Sequence, residues 1–246
     1  MFSDDKSNDG GFLGNFWTKV AHGFSPAIIE GETCQIYHEG SNGVSIEIEK
    51  LNKSFGDHHV LKDIDLSIKP GETFSIIGPS GTGKSLLLKH IVKLIEADSG
   101  RIIINGHDID DPAARNGASD FRYSMVFQSS ALFNSLTVGE NVGLWLREKR
   151  ICAEVRIRRI IQEKLRLVGL EGKEELRTSE LSGGMKKRVA IARSLAMNPD
   201  LILYDEPTAE LDPVTSDELA RVIMSLKDKV MTDNDSRQLD LHFALY

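Results

Sequence analysis

The chain has 246 residues, which is enough for one large α/β domain with an extension. Hydrophobic residues make up 40% and charged residues 27% of the sequence, a balance typical of globular proteins that excludes a disordered or fibrous chain. The net charge of −7 argues against a dedicated nucleic-acid binder, which usually needs a basic face.

Residues 1–45 are predicted to form a flexible extension, because they are rich in Gly, Ser, Asn and Asp and carry no sustained period. Their start lacks the basic and apolar segments of a signal peptide. Six apolar residues at helical spacing leave open a short interfacial helix that contacts a membrane or a partner: Phe12, Leu13, Phe16, Trp17, Val20 and Phe24. Cys34 and Cys152 lack metal-ligand spacing and are interpreted as reduced thiols.

From Ile46 onward the pattern changes to short strands separated by helices. Alternating or continuous apolar residues predict strands at 46–49, 64–68, 73–77, 102–104, 125–127 and 201–204. Helices are predicted from about Lys84 to Ile95 and over residues 153–168, the second with Gly169 as its C-cap. Strands that alternate with helices predict an α/β fold with a mostly parallel sheet covered on both faces.

A glycine-rich loop lies between the strand at 73–77 and the helix from Lys84. Its sequence fits the pattern G-x-x-x-x-G-K-[ST] in the required context: Gly78, Pro79, Ser80, Gly81, Thr82, Gly83, Lys84 and Ser85. Glycine allows backbone angles that let successive N–H groups point at phosphates, and the helix start adds its positive end. The loop is therefore predicted to bind a nucleotide, with Lys84 on the β- and γ-phosphates and Ser85 on Mg²⁺.

Two acids follow the predicted strand at 201–204. Asp205, at the carboxyl edge of a parallel sheet, suits a ligand on the Mg²⁺ side, and Glu206 is placed to activate an attacking water. Alone, the pair could equally be a helix N-cap. Ser182, Gly183 and Gly184 form a second anion-binding element at a predicted helix start, which could also be a simple N-cap.

Together these motifs, with Leu181 before Ser182 and Leu211-Asp212 after Asp205-Glu206-Pro207, resemble the ATP-binding cassette of ABC transporters over about residues 46–228. The resemblance implies a P-loop NTPase core, an inserted α-helical subdomain at about residues 129–185, and ATP and Mg²⁺ as cofactors. It also implies a homodimer that sandwiches two ATP molecules. Lys84, Gln128 and Glu206 would be catalytic, and Ser85, Gln128 and Asp205 would hold the metal.

Further roles come from the same resemblance. Phe55 matches the aromatic residue that stacks on adenine, although a lone Phe is more often a core residue. Residues 209–212 match the D-loop at the dimer seam. Ser182, Gly183 and Gly184 would complete the ATP site of the other copy.

A narrower likeness, which includes Met185 after Gly184, is to the Mla branch of phospholipid transporters and to its plastid counterpart. That likeness implies ATP hydrolysis coupled to phospholipid movement, integral-membrane permease subunits, lipid-binding subunits and no nucleic acid. Residues 132–142 would receive a coupling helix of the permease. The chain would be peripheral, on the cytoplasmic face of the inner membrane or on the stromal face of the inner chloroplast envelope.

The resemblance ends near the C-terminus, where residues 231–246 are predicted to be an atypical tail that replaces the last strands of a cassette. His242 lies near the position of the switch histidine, but no apolar strand leads into it. The domain is therefore predicted to span residues 46–230 and to be truncated. An ATP-binding subunit with impaired hydrolysis is the alternative function. A soluble ABC protein of DNA repair or translation is disfavoured, because the chain has no long coiled coil and no second cassette.

Overall fold

The computed structural model describes residues 43–111, 122–230 and 244–245, and the architecture below is that of these residues. Residues 1–42, with the candidate interfacial helix, and His242 lie outside them. The strands are β1 (Ile46–Phe55), β2 (His58–Ile68), β3 (Ser75–Ile76), β4 (Ser99–Ile104), β5 (His107–Asp108), β6 (Tyr123–Val126), β7 (Leu201–Tyr204) and β8 (Ala244–Leu245). The helices are α1 (Lys84–Ile91), α2 (Val138–Glu148), α3 (Glu154–Leu167), α4 (Gly183–Ala196) and α5 (Pro213–Val230), with a 3₁₀ turn at Thr178–Glu180.

The described strands form two four-stranded sheets. One has the order β2-β1-β4-β5, and all of its neighbouring strands are antiparallel. Strands β1 and β2 are joined by a tight hairpin at Gly56, where φ is 57°. The other has the order β3-β8-β7-β6 and is parallel throughout. The predicted α/β fold is confirmed, and the structure adds that the strands before residue 112 other than β3 form a sheet of their own.

Strand β7 lies between the two hydrophobic cores of the described residues. Leu201 and Leu203 pack into a core built around β1, β4 and α1, whereas Ile202 and Tyr204 pack into one built around α2, α3 and α4. All four side chains are 0–1% exposed. A parallel strand covered on both faces needs such a continuous apolar run, and the predicted bounds of this strand are confirmed.

The helical segment has clear local signals. Thr137 accepts a hydrogen bond from the Glu140 backbone, and the Glu140 side chain accepts one from the Thr137 backbone, which is a capping box that starts α2. Helix α3 buries Ile157, Ile160, Ile161 and Leu165 on one face, as predicted from their spacing. Gly169 follows it with a φ of 72°, a conformation suited to ending a helix.

One expectation is corrected. Cys152 is disulfide-bonded, so its interpretation as a reduced thiol is wrong; the other cysteine, Cys34, lies outside the described residues. Within the atypical tail predicted at 231–246, Ala244–Leu245 forms a strand between β3 and β7, and this strand follows His242 instead of leading into it. None of the described helices is both long enough and apolar enough to cross a bilayer.

Candidate active site

The loop between β3 and α1, residues 78–85, is called the phosphate loop below. Gly81 and Gly83 have φ angles of 83° and 95°, in the left-handed region that other residues enter at a cost. A Cβ atom on Gly83 would also lie 2.9 Å from Leu61 Cδ2, so the loop packs tightly against β2. Among the described residues no side chain caps α1, which leaves its first N–H groups available to an anion.

Lys84 spans this loop with its side chain. Its ammonium group donates hydrogen bonds to the carbonyls of Gly78 at 2.9 Å and Pro79 at 3.1 Å. The residue is 9% exposed, and Nζ lies 3.9 Å from Glu206 Oε1. The Thr82 hydroxyl donates to the Pro79 carbonyl at 2.9 Å and tightens the same turn. The positive charge is therefore fixed at the mouth of the loop, where the β- and γ-phosphates of a nucleotide would be within reach.

The two acids that follow β7 lie directly against the phosphate loop. The Ser85 hydroxyl donates to Asp205 Oδ1 at 2.5 Å, and Asp205 is 7% exposed. Its backbone N–H donates to the Val126 carbonyl at 2.9 Å, which extends the β6–β7 pairing beyond Tyr204. Glu206 has a φ of 45°, an uncommon conformation for a non-glycine residue and one that marks stored strain at functional sites.

Gln128 is placed at the same sheet edge by strand register. Val126 of β6 pairs with Tyr204 of β7, so Gln128 and Glu206 each lie two residues beyond a paired position. The Gln128 side chain is exposed. Parallel strands bring such residues together at their carboxyl ends, so Gln128, Ser85 and Asp205 share one edge of the sheet.

Phe55 lies at the end of β1 and is 53% exposed, which argues against a core role. The ammonium group of Lys53 lies 5.6 Å from the centre of its ring and within 2.8 Å of Asp98. Asp98 accepts hydrogen bonds from the Lys53 ammonium group and from the Ser54 backbone N–H, and these bonds hold the pKa of Asp98 below its ordinary value. The ring is thus held by a charged pair and keeps exposed area for a planar ligand.

Ser182, Gly183 and Gly184 lie at the start of α4, against the start of α5. The Ser182 hydroxyl caps α4 by accepting from the Met185 N–H at 3.3 Å. A Cβ atom on Gly184 would lie 2.4 Å from Thr215 Cγ2, and one on Gly183 would lie 3.3 Å from Leu211 Cδ2. These glycines therefore have a packing role in addition to any role toward an anion.

Two basic residues near the site, and the capping role of Asp212, were not predicted from the sequence. Lys187 and Arg193 reach from α4 to the backbone that follows β6. Asp212 accepts hydrogen bonds from the N–H groups of Val214 and Thr215, both at 3.1 Å, and so caps α5. The bonds to Thr215 lower the pKa of the Asp212 carboxyl. No local signal in the sequence could have identified Lys187, because it stands between two other basic residues.

The oxygen atoms at this site suit a Mg²⁺ ion that is also bound to phosphate better than they suit a metal ion held by protein ligands alone. Among the described residues no group of three or more His, Cys, Asp or Glu side chains could hold a metal ion. A hydroxyl, an amide and one carboxylate are hard oxygen ligands, and Mg²⁺ usually takes one or two carboxylates plus phosphates and waters. Ser85, Gln128 and Asp205 supply such a set.

Comparisons with known proteins identify a family and a fold. The sequence model of the family described as "ABC transporter" matches residues 61–209. The chloroplast protein TRIGALACTOSYLDIACYLGLYCEROL 3 of Arabidopsis thaliana is 44% identical over 205 residues, which cover 80% of this chain and 59% of that protein. The probable ribonucleotide transport ATP-binding protein mkl of Mycobacterium tuberculosis is 43% identical over 190 residues, covering 76% of this chain and 53% of mkl. The chain thus spans little more than half the length of these two relatives.

One solved structure is similar in both fold and sequence. The dimer of the ATP-binding cassette MJ0796 in a post-hydrolysis state, bound to ADP and phosphate, superposes with a TM-score of 0.67 and 31% identity. The match covers 81% of this chain and 87% of that one.

Proposed function

Because this chain belongs to the ABC transporter family and carries its ATP-binding domain, we propose that it binds and hydrolyses ATP as the energy-supplying subunit of a phospholipid transporter. One observation carries the proposal: the phosphate loop lies against the carboxylates of Asp205 and Glu206, which follow β7. Ser85 reaches Asp205 at 2.5 Å and Lys84 lies 3.9 Å from Glu206, although more than 100 residues separate the two segments.

The residues of the site would divide the work as follows. Lys84 and the N–H groups of the phosphate loop neutralise the phosphate chain and orient it. Ser85, Gln128 and Asp205 hold Mg²⁺, which supplies positive charge to the phosphate oxygens. Glu206 accepts the proton of the attacking water and orients it toward the γ-phosphate. Phe55 stacks on adenine and contributes affinity that does not depend on the phosphates.

A second copy of the chain would complete each site. The start of α4 offers the Ser182 hydroxyl and the N–H groups of Gly183 and Gly184, which suit a γ-phosphate bound by the other copy. The dimeric, product-bound state of MJ0796 supports such an arrangement for a cassette of the same fold. Binding of ATP would close the dimer, and hydrolysis would reopen it.

Phospholipid is the proposed cargo, and the Arabidopsis relative, whose name is that of a glycerol-based galactolipid, supports a lipid as the class of cargo. Permease subunits in the membrane and lipid-binding subunits would be the partners, with residues 132–142 as the surface that receives a coupling helix. The chain would be peripheral on the inner membrane or inner chloroplast envelope. The name of mkl cites ribonucleotide transport, so ribonucleotides are the competing cargo to test.

Turnover and nucleotide binding of the purified full chain test the ATPase proposal. Lys84→Ala should abolish tight ATP binding, whereas Glu206→Gln should keep binding and stop hydrolysis, because only the lysine neutralises charge in the bound ground state. Lys69→Ala, which removes one positive charge at an exposed position, is the matched control. Unchanged ATP affinity in Lys84→Ala would overturn the site, and wild-type binding without turnover would favour the alternative of an impaired hydrolase.

The cargo is tested in the complex with its permease. Phospholipid vesicles should stimulate ATP hydrolysis by that complex, and free ribonucleotides other than ATP should not. Stimulation by ribonucleotides alone would replace the lipid proposal and leave the ATPase proposal standing.

A further inference from the structure

Two basic side chains of α4 end on the backbone of the loop that follows β6. We call residues 127–131 the Gln128 loop. Lys187 donates from Nζ to the Gln128 carbonyl. Arg193 donates from Nη1 to the Ala131 carbonyl at 2.7 Å and from Nη2 to the Ser130 carbonyl at 3.0 Å. Lys187 is 4% and Arg193 3% exposed, so both hydrogen-bonded cations lie inside the protein.

The loop that they hold is strained. Ser130 and Ala131 are consecutive non-glycine residues with φ angles of 63° and 46°, in the left-handed region. Such residues are strained and persist only where the surroundings fix them. The two bonds from the Arg193 guanidinium fix the carbonyls of these same two residues.

The opposite side of the loop is held by α2. The Asn141 side chain accepts a hydrogen bond from the Phe133 N–H at 2.8 Å and donates to the Phe133 carbonyl at 3.1 Å and the Thr137 carbonyl at 2.9 Å. The chain after the Gln128 loop is therefore tied to α2, while the loop itself is tied to α4. Gln128 contributes its carbonyl to this framework and keeps an exposed side chain.

Lys187 also lies in the field of the acids of the site. Burial lowers the pKa of its ammonium group, and the charges of Glu210, Glu206 and Asp205 oppose that effect. A buried cation that has both a carbonyl acceptor and nearby carboxylates keeps its charge at lower cost than an isolated one. Its position is set by the bond to the Gln128 carbonyl, and the acids after β7 help to keep it charged.

We propose that Lys187 and Arg193 are positioning residues that lock the Gln128 loop to α4, so that Gln128 and the Ser182–Gly184 segment at the start of α4 move as one body. This inference rests on the proposed function, in which Gln128 serves the nucleotide of its own chain and Ser182 serves that of the other copy. The lock then connects the two ATP sites of a dimer through one helix. Both side chains end on backbone carbonyls, so the proposal assigns neither of them a contact with the nucleotide.

Hydrogen exchange of the full chain tests the lock directly. Lys187→Met, which keeps the aliphatic stem and removes the donor, should raise exchange of the Ser130 and Phe133 amides about fivefold or more, because the loop opens locally. Lys187→Arg should restore protection. Lys186→Met is the matched control, since the Lys186 ammonium makes no hydrogen bond to the described residues of the loop, and this variant should leave exchange unchanged.

Nucleotide measurements on the same variants separate positioning from general damage. Lys187→Met should keep wild-type ATP affinity and KM while kcat falls about tenfold or more, because misplacement of Gln128 affects the transition state more than binding. Arg193→Lys, which cannot hold two carbonyls in the same way, should show the same split if Lys187→Met is unstable.

The outcomes are distinct. Unchanged amide exchange together with unchanged kcat in both folded variants would overturn the lock while the proposed function stands. If the wild-type chain does not bind ATP, the proposed function is wrong. The hydrogen-exchange comparison would still test whether Lys187 and Arg193 hold the Gln128 loop.

Discussion

The hydroxyl of Ser85 and the carboxylate of Asp205 lie 2.5 Å apart although 120 positions separate them in the chain. Two of the three proposed magnesium ligands are therefore held within hydrogen-bond distance of each other by the fold. Such preorganisation reduces the reorganisation that a metal–nucleotide complex would otherwise impose.

Replacement of Asp205 by Asn should raise the Mg²⁺ concentration needed for half-maximal ATP binding about tenfold or more, because an amide keeps the shape but loses the charge. Titration with Mg²⁺ at fixed ATP measures it. Asp217→Asn, on the surface of α5, serves as the control. An unchanged Mg²⁺ requirement in Asp205→Asn would remove this residue from the metal site.

Phe55→Ala should weaken ATP binding by about 1–3 kcal/mol, the range for stacking of a base on an aromatic ring. Pyrophosphate affinity should stay at the wild-type value, since that ligand has no base. Calorimetric titration with both ligands measures the difference. Val155→Ala, which truncates another exposed apolar side chain, is the control, and equal losses for ATP and pyrophosphate would mean that Phe55 acts through the fold.

Gly184→Ala should lower the free energy of unfolding by about 1–3 kcal/mol, because the added methyl group would overlap Thr215 Cγ2. Thr215→Ser removes that methyl group and keeps the hydroxyl, so most of the loss should disappear in the double variant. Urea unfolding of the four proteins completes the cycle. If the loss is the same in both backgrounds, Gly184 is required for another reason than this contact.

His90 should make stability depend on pH. The residue is 1% exposed, and Nδ1 lies 2.7 Å from the Leu86 carbonyl. Burial lowers its pKa below the ordinary 6.5; the charge of Lys53 acts in the same direction, and the charge of Asp98 and backbone bonds to Leu86 and Glu96 oppose it.

The sign follows from proton uptake. Below pH 6.5 the unfolded chain binds a proton at His90 that the folded chain does not, so stability should fall as pH drops through this range until the folded pKa is passed. His90→Gln should flatten that part of the profile in urea unfolding, and the exposed His107→Gln should not. Identical slopes in wild type and His90→Gln would show that His90 is not responsible.

Local signals in the sequence were sufficient for much of the site. The phosphate loop and the strand before Asp205 could be predicted because each is a short run whose residue types have one dominant physical reason. The separation of an antiparallel sheet from the parallel one could not, since it depends on pairings such as that of β1 with β4, about 50 residues apart.

The contacts of Lys187 and Arg193 were also beyond local patterns. Both belong to a helix whose buried face is mostly apolar, and a basic residue there would ordinarily be assigned to solvent. Their acceptors are backbone carbonyls, which carry no sequence signature. The left-handed φ angles of Ser130 and Ala131 could not be predicted from the sequence either, because neither residue type favours that conformation.

The alternation of β7 between the two cores has a consequence for how the chain melts. Leu201 and Leu203 pack into one core, and Ile202 and Tyr204 pack into the other. Neither half of the domain, each built around one core, can therefore lose its packing without exposing one face of this four-residue strand. The two halves should therefore unfold in a single cooperative step. Fluorescence of Trp145, in the helical half, should report the same midpoint as a probe placed beside α1.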